Sequence, residues 1–402
     1  MSFLYFFKDN ARWIAGCFLL TFLSTTGQTI FISLSAGHIR SEYDLSNGAW
    51  GVVYMIGTLA SAMTLPYLGQ IVDRLSIRRV VLLMAPMLAL AAALMALSTN
   101  VVLLVITIYL LRLFGQGMFP HAAYTATARW FSAQRGKALS LVILGHNAGD
   151  ALFTNIFVML ALWIGWRNGW LVAAGLVLIV ALPVVSVLVA VDRTPRSSDP
   201  VPRLVDARDW TRAEVLRDPM FYLAMTGIMA PGFIVTVAIF HQVHLVELRG
   251  WSLEIFASAF IVWAATNSVF TIVSGQLIDR FSGLALLPFV LLPLGAGCIV
   301  LGTVTEPWTP FAFMALVGMS NGMCVTLFGA VWPEFYGIRH LGSIRALVVS
   351  AGVFASAAGP GLTGFMIDAG ISFPGILVVM GVYCFAISLV MLHVARRVRA
   401  RN

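Results

Sequence analysis

Long apolar runs recur along the whole chain and leave little polar surface between them. Of the 402 residues, 60% are hydrophobic and only 10% are charged, whereas a soluble domain carries roughly 25% charged residues. A helix of about 20 apolar residues crosses the hydrocarbon core of a bilayer, and a membrane β-barrel would instead show alternating segments of about 10 residues. The sequence therefore predicts an all-α membrane protein.

Twelve runs are long enough to be membrane spans, and one polar segment divides them into two groups of six. Residues 192–218 contain three prolines and six arginines but no apolar run. We therefore predict an N-terminal six-helix bundle at 1–191, a cytoplasmic linker at 192–218 and a C-terminal six-helix bundle at 219–402. The predicted spans lie near 13–35, 48–68, 80–98, 101–123, 138–164, 169–191, 220–243, 254–274, 284–303, 308–331, 346–366 and 375–394.

The positions of the basic residues predict the orientation of the chain. Of the 25 lysines and arginines, 21 lie in the termini, the linker and the loops on the same side as the termini, and three lie in the opposite loops. Basic residues are enriched on the cytoplasmic side of membrane proteins. We expect a multi-pass protein of the bacterial inner (plasma) membrane, surrounded by lipid, with both termini cytoplasmic. Because this bias explains the net charge of +8, no nucleic-acid partner is expected.

A short motif repeats between the two groups of spans. Residues 69–74 read GQIVDR, and residues 275–280, which lie 206 positions later, read GQLIDR. A six-helix unit duplicated in parallel is how one large group of secondary transporters is built. The repeat therefore favours a transporter with two related halves.

The same residues resemble the major facilitator superfamily. Residues 69–79 are similar to its loop signature, and residues 112–117, which read RLFGQG, are similar to its arginine motif of the fourth span. The resemblance covers the whole chain and implies twelve transmembrane helices in two six-helix repeats that move a solute by alternating access. It also implies a conformational latch made of Asp73, Arg74, Arg78, Asp279 and Arg280.

A closer resemblance is to alphaproteobacterial carriers that include a copper importer and a related riboflavin carrier. It is carried by residues 27–33, 225–229 and 342–346, and residues 129–131 more distantly resemble the monocarboxylate and oxalate carriers. The resemblance implies copper as the leading substrate and a neutral planar solute such as riboflavin as the alternative. Thioethers select Cu(I), although methionine also fills gaps between helices. The candidate metal ligands are Met225, Met229, Met319 and Met323.

Two ionisable residues fall near the middle of consecutive predicted spans. Arg112 is about eleven residues from the outer end of the fourth span, and Asp150 is about twelve residues from the inner end of the fifth, which places both near the midplane. An ion pair is less costly than two isolated buried charges. We therefore predict that Arg112 and Asp150 pair, either to couple transport to protons in symport or to brace the first bundle.

Four uncharged polar residues inside the spans are candidates for hydrogen bonds to a substrate or between helices. They are Gln28, Asn147, Asn267 and Asn321. We expect an importer that acts as a monomer, binds a small-molecule or metal-ion substrate and uses no cofactor. A non-transporting membrane sensor or assembly factor on the same fold is the alternative, and the sequence shows no nucleophile–base arrangement that indicates an enzyme.

Overall fold

The computed structural model describes residues 3–131, 135–193, 209–337 and 340–401, which contain helices and no strands. In these ranges eleven helices are long and apolar enough to cross a membrane, and a shorter apolar helix lies at Leu292–Thr303. The protein is a multi-pass membrane protein, which confirms the predicted fold class. The chain divides into two compact units, 1–201 and 202–402, with the boundary inside the predicted linker.

In the first unit, three of the six spans change helix type along their length. The first span contains a 3-10 turn at Ser24–Gly27, and the fourth and sixth spans contain π-helical segments at Leu111–Met118 and Ala181–Val185. The helices of the six spans are Phe3–Leu23 with Thr29–Ser33, Asn47–Leu68, Ile77–Leu97, Val101–Leu110 with Phe119–Trp130, Arg135–Ile164, and Trp166–Val180 with Ser186–Leu188.

Polar caps set the first residues of two of these helices. The Ser46 hydroxyl accepts a hydrogen bond from the Ala49 N–H (3.1 Å) at the start of the second span. The Asn100 side chain accepts one from the Leu103 N–H (2.9 Å) at the start of the fourth. Each cap satisfies a backbone donor that has no partner within the helix.

In the second unit, the ninth span departs from the prediction. One continuous span was expected at 284–303, but the helix Gly283–Leu286 ends in a turn and a second helix begins at Leu292. Pro288 lies in this turn, where its missing backbone N–H removes one hydrogen bond that would continue the helix. The other spans are Pro219–Phe240, Leu253–Phe281, Thr309–Tyr336, Leu341–Asp368 and Phe373–Arg401.

The two units pair their helices in the same way. In the first unit the first span packs on the fifth, the second on the fourth and the third on the sixth. In the second unit the seventh span packs on the eleventh, the eighth on the tenth and the ninth on the twelfth. The equivalent pairs agree with an internal repeat of six helices.

A polar cluster joins three loops of the first unit at the end opposite the linker. Glu42 accepts hydrogen bonds from Trp166 Nε1 (2.9 Å) and Arg167 Nη2 (2.6 Å), and Arg167 Nη1 donates to the Ser98 carbonyl (3.0 Å). Partial burial alone would raise the pKa of Glu42, but the hydrogen bonds from Arg167 and Trp166 outweigh it and lower the pKa.

Candidate functional site

The irregular part of the first span packs closely on the π-helical part of the fourth. A Cβ atom on Gly27 would lie 2.1 Å from the Leu111 carbonyl oxygen, and one on Gly115 would lie 2.6 Å from the Gly27 Cα. Only glycine fits at such a backbone-to-backbone approach. The approach brings polar residues of the first span next to Arg112.

Arg112 is buried inside the first unit, with 3% of its surface exposed. Its Nη1 donates to Thr29 Oγ1 (3.1 Å), which in turn lies 2.5 Å from the Tyr54 hydroxyl. The guanidinium carbon is 5.2 Å from the centre of the Tyr54 ring, a cation–π arrangement. Arg112 Nε has no hydrogen-bond partner among the described residues. Arg112 is thus held by a hydroxyl and a ring, and not by a carboxylate.

Asp150, on the fifth span, is 2% exposed. The Thr25 hydroxyl donates to its Oδ1 (3.1 Å), and His146 Nε2 lies 3.5 Å from its Oδ2. His146 Nδ1 is in turn 3.4 Å from Ser24 Oγ. A Cβ on Gly149 would lie 2.3 Å from Thr25 Oγ1, so this glycine permits the close contact between the first and fifth spans.

The ion pair predicted between Arg112 and Asp150 is not formed. Both side chains are described, and each instead bonds to a threonine of the first span, Thr29 for Arg112 and Thr25 for Asp150. The reason is that the first span packs against both the fourth and the fifth, so its hydroxyls reach both groups. The run Ser24-Thr-Thr-Gly27 inside an apolar span was a sequence signal for Thr25 as a partner of Asp150.

Among the predicted substrate-binding amides, the two in the second unit meet. Asn321 Nδ2 donates to Asn267 Oδ1 (3.1 Å), which joins the tenth span to the eighth. A Cβ on Gly318 would lie 2.1 Å from Thr266 Oγ1, and one on Gly322 would lie 2.5 Å from the Asn267 carbonyl oxygen. Asn267 is 5% exposed, and Asn321 is partly exposed.

The two predicted amides of the first unit differ in exposure. Gln28 directly follows the 3-10 turn of the first span, where its backbone N–H donates to the Thr25 carbonyl (2.9 Å), and its side chain is partly exposed. Asn147 lies on the fifth span and is 4% exposed. Gln28 is therefore the more accessible of the two.

Two of the four methionines predicted to bind metal line one apolar cavity. Met225 and Met229 line an apolar cavity of about 690 Å³ between the seventh, eleventh and twelfth spans, to which Met319 and Met323 do not contribute. The Tyr383 hydroxyl at its wall donates to a backbone carbonyl of the seventh span (3.0 Å). In the described part of the chain, no three His, Cys, Asp or Glu side chains are grouped as metal ligands.

The predicted latch is only partly described. The side chains of Asp73 and Asp279 lie outside the described residues. The side chains of the three basic members, Arg74, Arg78 and Arg280, are exposed. The Arg280 guanidinium carbon lies 5.2 Å from the Phe281 ring centre.

Comparisons with known proteins agree on one family. A family model described as Major Facilitator Superfamily matches residues 17–360. The chain is 22% identical over 343 residues to an uncharacterized MFS-type transporter, YhjX, of Escherichia coli (strain K12), covering 83% of each chain.

The fold also resembles inward-facing crystal structures of a bacterial homologue of the human lysosomal transporter Spinster. The unoccupied form has a TM-score of 0.74, with 15% identity over 98% of both chains. The occupied form has a TM-score of 0.69, with 15% identity over 96% of this chain and 95% of that one. At this identity the likeness to the solved structures establishes the fold. The chain belongs to the Major Facilitator Superfamily and is a transporter, not an enzyme.

Proposed function

We propose that the protein is a secondary active transporter that moves a small solute across the bacterial inner membrane by alternating access, with Asp150 as the proton-binding group. One observation carries the proposal. A single irregular segment of the first span donates to buried Asp150 through Thr25 and accepts from buried Arg112 through Thr29. Both ionisable groups are therefore hydrogen-bonded to threonine side chains of the same short segment of the first span.

Because Asp150 is buried, the free energy of the surrounding structure depends on whether its carboxyl group is charged or protonated. A buried carboxylate must be paired, hydrogen-bonded or protonated, because an isolated charge in a low-dielectric interior is very costly. Asp150 is 2% exposed, and His146 is the one ionisable side chain in the described structure within ion-pair distance of it. When Asp150 takes up a proton, its contacts with Thr25 and His146 change. Because Thr25 and Thr29 lie on the same irregular segment of the first span, a change at Thr25 favours a rearrangement of that segment.

The proposed solute is small and neutral, and the proposed direction is import. The partly exposed amides Gln28 and Asn321 are the groups we expect to contact it. The excess of basic residues on one side supports cytoplasmic termini. The solved structures of similar fold are described as inward-facing, with and without an occupant, which supports alternating access as the mode of transport.

Copper is the second candidate, on the observation that Met225 and Met229 line the same cavity. Two thioethers from successive turns of one helix are soft ligands that suit Cu(I). Copper is ranked below the neutral solute because Met319 and Met323 are not part of this cavity.

The test is transport by the purified protein in proteoliposomes, with riboflavin and Cu(I) as separate radiolabelled solutes and with or without a proton gradient. We expect Asp150→Asn to be produced normally and to lose the dependence of uptake on the gradient. The matched control is Asp192→Asn, which makes the same chemical change at an exposed position. Gradient-driven uptake that persists in Asp150→Asn contradicts the coupling role.

A second readout needs no solute. The thermal unfolding temperature of the wild type should vary with pH, because a buried ionisable group links stability to protonation. Asp150→Asn should flatten that dependence, and Asp192→Asn should not. Poor production of Asp150→Asn together with an unchanged pH dependence would instead indicate a static brace.

A further inference from the structure

An arginine closes the first unit at the end that carries the linker. Arg193 follows the sixth span, and its Nε donates to Asn10 Oδ1 (2.9 Å) at the start of the first span. Its Nη1 donates to the Trp130 carbonyl at the end of the fourth span. The guanidinium carbon lies 4.5 Å from the centre of the Phe131 ring. One side chain thus joins the first, fourth and sixth spans.

The second unit has the same arrangement around its penultimate residue. Arg401 ends the twelfth span, and its Nη1 donates to Asp218 Oδ2 (2.6 Å) at the start of the seventh span. Its Nη2 donates to the Phe335 carbonyl (3.3 Å) near the end of the tenth span. Its guanidinium carbon lies 4.4 Å from the ring centre of Trp210. The backbone N–H of Trp210 donates to the Tyr336 carbonyl (2.9 Å).

The two clusters occupy equivalent places in the internal repeat. The separation is 208 residues both from Arg193 to Arg401 and from Asn10 to Asp218. In both clusters the arginine bonds a side-chain oxygen in the first part of the first span of the unit and a carbonyl at the end of the fourth span, and it stacks on an aromatic ring.

We propose that Arg193 and Arg401 are repeat-equivalent clamps, each of which holds the first, fourth and sixth helices of its unit together at the linker end. Arg401 also anchors the last part of the linker, because Trp210 lies between its guanidinium and the backbone of the tenth span. The end of the twelfth span is therefore linked to the end of the tenth span and to the last part of the linker.

The two clamps differ in charge. Asn10 gives the first clamp a neutral acceptor, whereas Asp218 gives the second a carboxylate that also accepts from the Tyr336 hydroxyl (3.0 Å). Both oxygens of Asp218 are used, because Oδ1 accepts from the Met220 N–H (3.0 Å) and Oδ2 accepts from Arg401 and Tyr336. An asparagine has one oxygen, so Asp218→Asn places an amide N–H against one of these donors and should open the second clamp.

The test is hydrogen exchange, followed by mass spectrometry, on the full-length protein in lipid nanodiscs. Arg401→Gln should speed exchange in residues 209–218 by about five- to thirtyfold, the range produced by a modest loss of local stability. Arg193→Gln should speed exchange in residues 123–131 and leave residues 209–218 unchanged. The matched control is Arg399→Gln, an exposed arginine two residues from Arg401.

Each outcome decides the proposal. Asp218→Asn should speed exchange in residues 209–218, because it leaves one donor at the clamp unpaired. Arg401→Gln or Asp218→Asn that behaves like Arg399→Gln overturns the proposal, as does equal acceleration in the distant segment 347–366. If Arg401→Gln is not produced, Trp210→Leu removes only the ring beneath the guanidinium. That variant should still speed exchange in residues 209–218, and no acceleration there overturns the anchor.

Discussion

Substitution of Gly115 by alanine tests whether the contact between the first and fourth spans positions Arg112. The new Cβ would lie 2.6 Å from the Gly27 Cα and 2.8 Å from the Gly27 nitrogen, both of which are backbone atoms. Ordinary contacts of this kind begin at 3.4 Å, so the two backbones must separate by about 0.8 Å. A shift of that size lengthens the Arg112–Thr29 hydrogen bond from 3.1 Å to about 3.9 Å, beyond hydrogen-bonding range.

The expected loss of stability has two parts. Overpacking of a close contact costs about 1–3 kcal/mol, and loss of a hydrogen bond to a charged group costs about 1.5–3 kcal/mol. Together they predict a loss of about 2.5–6 kcal/mol. For a unit of about 200 residues this lowers the unfolding temperature by roughly 5–24 °C.

The assay is thermal unfolding of the detergent-solubilised protein at one fixed scan rate, since membrane proteins rarely unfold reversibly. The matched control is Gly117→Ala, whose Cβ would lie 3.0 Å from the end of the flexible Leu65 side chain and at an ordinary contact distance of 3.5 Å from the Arg112 carbonyl oxygen. We expect the control to lie within a few degrees of the wild type. Equal unfolding temperatures for the two alanine variants would refute the reasoning.

Two further predictions concern the ends of the helices. The Glu42 carboxylate, bound by Arg167 and Trp166, has a pKa in the folded protein below its ordinary value, so its ionised form stabilises the fold at neutral pH. The unfolding temperatures of the wild type and Glu42→Gln should therefore differ at pH 7 and converge as the pH falls below about 4.5. Glu334 accepts a hydrogen bond from the Gly283 N–H (2.7 Å) at the start of the ninth span, so Glu334→Gln should cost about 1–3 kcal/mol, measured by thermal unfolding. An unchanged unfolding temperature in Glu334→Gln would contradict this.

The number and order of the spans could be predicted from the sequence because the lengths of apolar runs directly reflect the thickness of the bilayer. The interruption of the ninth span was missed because proline is tolerated in membrane helices when neighbouring groups satisfy the backbone. Only the structure shows that the chain turns after Leu286 instead of continuing past Pro288. The 3-10 turn at Ser24–Gly27 had a visible signal, four small or polar residues in a row.

The burial of ionisable side chains inside the first unit could also be predicted, whereas the direction of a side chain around the helix axis could not. A helix that is apolar on all sides gives no periodic pattern from which its rotation can be read. The burial of Arg112 and Asp150 was therefore predicted correctly, and their direct contact was not. The same ambiguity explains why Met229 lines a cavity to which Met323 does not contribute. Tyr54, one tyrosine in an apolar run, gave no signal as a partner of Arg112.

The turn in the ninth span has a consequence for biosynthesis. The helix Leu292–Thr303 has 12 residues, so it is only about 18 Å long and shorter than the roughly 30 Å hydrocarbon core. Its main partner is the twelfth span, where a Cβ on Gly302 would lie 2.6 Å from the Pro374 carbonyl oxygen. We expect the nascent ninth span to be poorly retained by the bilayer until the last span emerges from the ribosome and packs against it. A chain cut before residue 373 should accordingly leave this segment loosely inserted and open to quality-control proteases.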